Sequence, residues 1–253
     1  MQDLKGKFVL ITGASTGIGA AAATAFAAQG AHVAVHYNRS ADKAEAVAEA
    51  VRSHGVKAMT VAADVQDTGA IDAAVAHVLD GFGRIDVLIN NAGSLVKRTP
   101  FTEVTDAYFD DVLNVNARSV VAFSRAVVPA MRKQGGGAIV NVTSIAARHG
   151  GGPGALIYAA AKGFVSTLTR GMAKELMPDR IRVNAVSPGV IMTPFHEQFS
   201  TQAQIDAFRQ SIPMGRLGEP DECSGAFLYL ASETLASYVT GQIIEVNGGQ
   251  LML

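Results

Sequence analysis

Seven short runs of aliphatic and β-branched residues recur along this chain, each separated from the next by a longer, mostly alanine-rich stretch. The runs are KFVLIT (7–12), HVAVH (32–36), KAMTVAA (57–63), IDVLIN (85–90), AIVNVT (138–143), IRVNAVS (181–187) and QIIEV (242–246). Several are apolar throughout instead of alternating, the pattern of strands covered on both faces of a parallel sheet. Residues 17–29, 40–54, 67–82, 105–133, 156–177 and 220–231 carry helical spacing between them. Parallel neighbours need a crossover, and a helix commonly supplies it. The order therefore predicts an α/β fold: a single domain over 1–253, a doubly wound parallel sheet of seven strands with helices on both faces. The stretch 190–215 breaks the rhythm and is a candidate lid that covers the substrate.

Composition narrows the function classes. The 253 residues are 49% hydrophobic and 17% charged, as in a chain that buries a large core. A net charge of −1 gives no long-range attraction for nucleic acid or an anionic membrane. Cys223 is the only cysteine, which excludes an internal disulfide framework, a CxxC pair and a cysteine zinc cluster, and fits the reducing cytoplasm. No stretch of 18 apolar residues predicts a membrane span, and MQDLKGKFVLITG lacks the pattern of a signal peptide.

The first strand runs into TGASTGIG (12–19). Gly13 permits a tight turn, while Gly17 and Gly19 let backbone N–H groups approach a pyrophosphate at a helix N-terminus, with Ser15, Thr16 and Ile18 on the same turn. Glycines also serve ordinary strand-to-helix turns, but this one follows the first strand and opens the first helix, where a dinucleotide site belongs. Its spacing is G-x-x-x-G-x-G. Further along, in order, come NNAG (90–93), Ser144, YAAAK (158–162) and SPG (187–189). Together these motifs resemble the short-chain dehydrogenase/reductase family, and the resemblance covers essentially the whole chain.

That resemblance implies a Rossmann-like fold, a nicotinamide dinucleotide and a catalytic tetrad of Asn116, Ser144, Tyr158 and Lys162. It assigns Asp64 and Val65 to the adenine, Asn91, Ala92 and Gly93 to the ribose and nicotinamide side, and Pro188, Gly189, Ile191 and Thr193 to the far wall. Asn114 competes with Asn116, but the N-x-x-S-V pattern selects Asn116. The family asparagine holds a water near the lysine. At the end of the second strand, HVAVHYNRS places Tyr37 where the family's NAD-selecting acid usually stands. Asn38, Arg39 and Ser40 follow, and a guanidinium can fork onto a 2′-phosphate. NADP(H) is therefore favoured over NAD(H); the competing reading is a solvated Arg39 with Ser40 capping the next helix.

YAAAK puts Tyr158 and Lys162 on one helix face. A phenol titrates near ~10, so lowering it to about 7 takes roughly 4 kcal/mol at about 1.36 kcal/mol per unit. One ammonium at about 4 Å supplies roughly that at an effective dielectric near 20. A surface pair has the same spacing, but Ser144 at a strand end favours the acid–base reading. The resemblance implies that Tyr158 passes the proton, Lys162 lowers the tyrosine pKa and holds the ribose, and Ser144 polarises the carbonyl, with no metal.

The substrate is expected to be a small polar carbonyl compound, sugar-derived or a keto-acid. Ser94, Arg148, His149 and His196 flank its expected mouth, Lys97 and Arg98 lie on the adjoining loop, and Met192 and Met214 are candidate pocket liners. A 3-oxoacyl-[acyl-carrier-protein] reductase is the main alternative, since that group shares every motif used here. A dinucleotide-sensing protein without turnover is disfavoured by the intact tyrosine and lysine. The apolar C-terminal segment YVTGQIIEVNGGQLML fits the homotetramer common in this family, with a homodimer as the alternative.

Overall fold

The structure, a computed structural model, describes residues 1–252. Its strands are β1 (Phe8–Ile11), β2 (His32–Tyr37), β3 (Ala58–Ala62), β4 (Val87–Asn90), β5 (Gly137–Val142), β6 (Ile181–Pro188) and β7 (Ile243–Val246). Among the helices, α1 (Gly17–Ala28), α2 (Ala41–Arg52) and α3 (Thr68–Phe82) fill the first three crossovers. Then follow α4 (Asp106–Leu113), α5 (Ser119–Lys133), α6 (Ala146–His149) and α7 (Leu156–Glu175). The chain continues through α8 (Pro194–Phe199), α9 (Gln202–Ser211), α10 (Ser224–Ala231) and α11 (Glu233–Ala236). The sheet order is β3-β2-β1-β4-β5-β6-β7, and every pairing is parallel.

Period-2 geometry divides each strand's side chains between two cores. Val9 and Ile11 of β1 enter one cluster and Leu10 the other; Val87 and Ile89 of β4 part from Leu88 in the same way. The first core is closed by Ala22, Ala23 and Phe26 of α1, Ala44 and Ala48 of α2, and Phe227 and Leu230 of α10. Ile71 and Val75 of α3 and Phe123, Val127 and Met131 of α5 close the second. Burial of each such large side chain contributes about 1.5–3 kcal/mol. Local signals agree with this packing: α3 starts where Asp67 accepts from the Gly69 and Ala70 N–H groups and stops at Gly83 with φ 77°.

Two expectations need correction. The predicted helix over 105–133 is interrupted by a π-helical turn, Asn114–Arg118, between α4 and α5. That turn is stabilised by side-chain bonds, described below, that helical spacing does not reveal. The stretch 190–215 is also more than a loop: it carries α8 and α9, the latter opened by a Thr201–Gln204 capping box.

The order switches direction between β1 and β4, whose connections leave in opposite senses along the sheet. In open α/β sheets the ligand crevice lies outside the carboxyl ends of the strands at this point. Here it is flanked by the β1–α1 turn and the segment after β4.

Candidate active site

A cleft of about 720 Å³ opens at the switch point. At its floor Gly13 has φ 63° and Gly17 φ 57°, left-handed values that favour glycine. Gly19 is required for a different reason. A Cβ there would stand 2.5 Å from the Gly13 carbonyl and 2.6 Å from Asn91 Nδ2. The two motifs are stitched together: Asn91 Nδ2 donates to the Thr12 and Gly13 carbonyls at 2.9 and 3.1 Å. Thr12 Oγ1 accepts from the Asn91 and Ala92 N–H groups, each at 2.9 Å.

Ser15, Thr16, Gly17 and Ile18 line the cleft at the start of α1. The N-cap Thr16 side chain makes no capping bond, so the first-turn N–H groups are left to an anion from outside. Tyr37, Asn38, Arg39 and Ser40 line one end together with Asp64, Val65 and Gln66. Arg39 is exposed and forms no ion pair among the described residues. Ser40 precedes α2 without a side-chain capping bond. Asp64 Oδ1 accepts from the Gln66 N–H at 2.9 Å. Asn91, Ala92, Gly93, Pro188, Gly189, Ile191 and Thr193 form the walls.

The four residues expected to form the tetrad come from three parts of the chain. Ser144 follows β5, Tyr158 and Lys162 lie on α7, and Asn116 occupies the π-helical turn. Ser144 adjoins the Tyr158 phenol, and its Oγ accepts from the Ala146 N–H at 3.1 Å. Lys162 is 2% exposed and donates from Nζ to the Val142 carbonyl at 2.8 Å. Its Nζ stands 5.7 Å from the Tyr158 ring centroid.

The expected lowering of the tyrosine pKa is not found here. Burial drives the phenol up to about 12, only partly opposed by the adjoining Ser144. Burial likewise drives the Lys162 ammonium down to about 8. Loss of hydration is the leading cause of both shifts.

Asn116 is fully buried and bonded at both ends: Nδ2 donates to the Ser94 and Val112 carbonyls at 2.7 and 2.9 Å, and Oδ1 accepts from the Ser94 N–H at 3.1 Å. The Val112 bond ties the widened turn back to the last turn of α4. Gly93 borders the same group, since a Cβ there would lie 2.9 Å from Asn116 Oδ1 and 3.2 Å from Lys162 Nζ.

At the substrate end the cleft gathers Ser94, Leu95, Arg98, His149, Phe195, His196, Gln198, Phe208 and Gln250. Phe195 packs on Tyr158 with ring centroids 5.7 Å apart. His196 Nδ1 is 3.1 Å from Ser200 Oγ, and burial with the nearby Arg98 charge pushes its pKa down to about 4.

Arg148 does not join this group. It is exposed near the end of α6 and lies outside the cleft lining. Lys97 is also outside, with its ammonium 5.6 Å from the Tyr108 ring centroid. Met192 packs with Val190, Ile212 and Leu217, while Met214 borders a separate, smaller cavity. Sequence reasoning missed His36, whose Nδ1 accepts from the Gly13 N–H at 3.1 Å, and the aromatic wall of Phe195 and Phe208, with Phe199 packed on Phe195. The aromatics lie in the stretch 190–215 expected to cover the substrate, but none of them was singled out there.

Comparison with known proteins finds relatives over essentially the whole chain. Residues 13–250 match the family model described as enoyl-(acyl carrier protein) reductase. A 3-oxoacyl-[acyl-carrier-protein] reductase of Synechocystis sp. is 38% identical across the whole of both chains. The 3-oxoacyl-[acyl-carrier-protein] reductase FabG of Thermotoga maritima is 40% identical over 97% of this chain and 98% of its own. Among solved structures, the NADH-dependent reductase A1-R′ responsible for alginate metabolism superposes with a TM-score of 0.92, at 36% identity and full coverage of both chains.

Proposed function

The chain belongs to the short-chain dehydrogenase/reductase family, and from that premise we propose that it is an NADP(H)-dependent reductase of a small polar carbonyl compound, sugar-derived or a keto-acid. At the coarser level it is an oxidoreductase that uses a nicotinamide dinucleotide and acts on CH–OH or keto groups. The dinucleotide supplies or accepts the hydride. The floor fits such a cofactor: an uncapped helix N-terminus for the pyrophosphate, and Asp64 and Val65 at the adenine end. We assign Asn91, Ala92 and Gly93 to the ribose and nicotinamide side, and Pro188, Gly189, Ile191 and Thr193 to the opposite wall.

The chain's own residues handle the proton. Tyr158, protonated throughout the neutral range, donates to the carbonyl oxygen in the reductive direction, and Ser144 shares the developing charge. Lys162 carries positive charge beside the phenol at neutral pH, because its depressed pKa still lies at about 8. Asn116 fixes the Ser94 peptide and thereby the wall next to Lys162.

The observation that carries the NADP(H) reading is Arg39, exposed at the end of β2, with Tyr37 where a carboxylate would repel a phosphate. Replacing Tyr37 with Asp and Arg39 with Ala should weaken NADP(H) and favour NAD(H) relative to wild type. Dissociation constants for both dinucleotides test this; equal affinities in wild type would overturn it.

For the substrate, Ser94, His149, Gln198 and Gln250 offer polar contacts around the mouth. A second reading, reduction of a 3-oxoacyl thioester, gains from the aromatic wall of Phe195 and Phe208, and from the names of the curated relatives. Docking of an acidic carrier by Lys97 and Arg98 is less well supported, because Arg98 lines the cleft itself while the Lys97 ammonium, outside it, sits 5.6 Å from the Tyr108 ring centroid. Comparing kcat/KM for a hexulosonate or aldose with that for a 3-oxoacyl thioester separates the two readings.

A further inference from the structure

The guanidinium of Arg98 is anchored at the substrate end of the cleft and lacks a counter-charge. Its Nε donates to the Phe199 carbonyl at 2.6 Å, at the end of α8, and Nη1 donates to the Pro153 carbonyl at 2.8 Å. Both acceptors are neutral. Arg98 takes part in no ion pair among the described residues, and the one carboxylate lining the cleft, Asp64, lies at the adenine end. Its neighbour His196 is uncharged at neutral pH and supplies none.

The backbone that holds Arg98 is fixed at some cost. Val96, two residues earlier, has φ 63°, a left-handed value unfavourable for a β-branched residue. The Ser94 hydroxyl accepts from the Val96 N–H at 3.0 Å, and the Tyr108 hydroxyl donates to the Lys97 carbonyl at 3.0 Å. On the other side, the Thr99 N–H donates to the Gly154 carbonyl at 3.0 Å, and a Cβ on Gly154 would stand 2.9 Å from Arg98 Cβ.

We propose that Arg98 is the specificity-determining residue of a carboxylate subsite, so that the substrate is an oxo-acid. A guanidinium has five N–H donors, and its fork matches a carboxylate with two parallel bonds. A partly desolvated cation satisfied only by dipoles gains most from an anion that arrives with the substrate. Burial lowers the Arg98 pKa with no acidic neighbour opposing it, in keeping with this lack of compensation. The inference rests on the preceding reading of the enzyme as a reductase of small polar carbonyls. It makes that substrate class anionic.

The test is kcat/KM for a hexulosonate and for the neutral ketose of the same skeleton, in wild type, Arg98→Lys and Arg98→Met. Wild type should favour the acid by more than about tenfold. Arg98→Met should lose that preference, mainly through KM for the acid, with the neutral sugar and the dinucleotide affinity within about threefold of wild type. Arg98→Lys, which keeps the charge without the fork, should recover part of the preference. Equal loss on both substrates would reduce Arg98 to a pin between α8 and the 150–154 segment, and would overturn the subsite. Competitive inhibition of wild type by a hydroxy-acid and by the matching polyol gives the same answer if the methionine variant does not fold: equal inhibition overturns the proposal. Turnover of the neutral sugar without preference for the acid sinks the subsite alone. Turnover of neither, with reduction of a 3-oxoacyl thioester, sinks the polar-carbonyl reading as well.

Discussion

Burial acts on Tyr158 and Lys162 in the same sense, driving each toward its uncharged form, the phenol up to about 12 and the ammonium down to about 8. Electrostatic reasoning from the i, i+4 spacing treats the lysine as the dominant influence on the tyrosine. With Nζ 5.7 Å from the ring centroid and already donating to the Val142 carbonyl, loss of water is instead the leading cause of both shifts. The phenol is thereby held protonated, as a proton donor must be in the reductive direction. Tyr158→Phe should lower single-turnover hydride transfer by more than about 100-fold, the scale of a lost general acid. Dinucleotide affinity should stay within about threefold, because the glycine turn and Lys162 remain. Residual turnover within about tenfold of wild type would remove Tyr158 from the chemistry.

Between elements, the contact that matters most is that of the β1–α1 turn with the segment after β4. Gly19 sits where α1 presses on the Gly13 carbonyl and the Asn91 amide, with no room for a methyl group. Gly19→Ala must therefore displace backbone or break the bonds from Asn91 Nδ2 to Thr12 and Gly13. Its cost should be about 1–3 kcal/mol of stability, as for other overpacked sites. Dinucleotide affinity should fall with it, whereas Gly163→Ala on the open side of α7, whose nearest neighbour is 4.0 Å away, should be nearly neutral. Denaturant unfolding together with dinucleotide titration checks both. The π-helical turn at Asn114–Arg118 is a second device at this level: it aims the Asn116 side chain at the Ser94 peptide.

For the molecule as a whole, two imidazoles link stability to pH. His36 is 1% exposed, accepts from the Gly13 N–H through Nδ1, and has its pKa pushed down to about 4 by burial. His196, less deeply covered, is also pushed down to about 4, by burial and then by the Arg98 charge. Between the ordinary histidine pKa of 6.5 and about 4, the unfolded chain takes up protons at these sites that the folded chain does not. Stability contributed by the neutral rings is present above 6.5, falls as pH drops through this window, and levels off below about 4. The loss from His36 should reach about 3 kcal/mol, with less from His196. His36→Asn keeps an acceptor for Gly13 and removes the titration. Its melting temperature should therefore depend less on pH across this window than that of wild type; an unchanged slope would exclude His36 as the source.

Strand number, the parallel sheet and the glycine turn were legible in the sequence, because period and chain order suffice for them. Runs apolar throughout require cover on both faces, and alternating helices can supply it only in a doubly wound sheet. The pairing of Tyr158 with Lys162 was legible for a related reason: the two are bound by the local geometry of one helix. What tertiary structure decided is the set of properties that depend on distant partners. Arg98 is anchored by carbonyls at Pro153 and Phe199, the latter 101 residues away, so no local pattern separates it from the exposed Arg148. Helical spacing runs unbroken through Asn116, and only its bonds to Ser94, 22 residues away, and to Val112 mark the widened turn. The direction of the Tyr158 and Lys162 shifts also follows from burial, a property of the packed molecule that spacing along one helix does not contain.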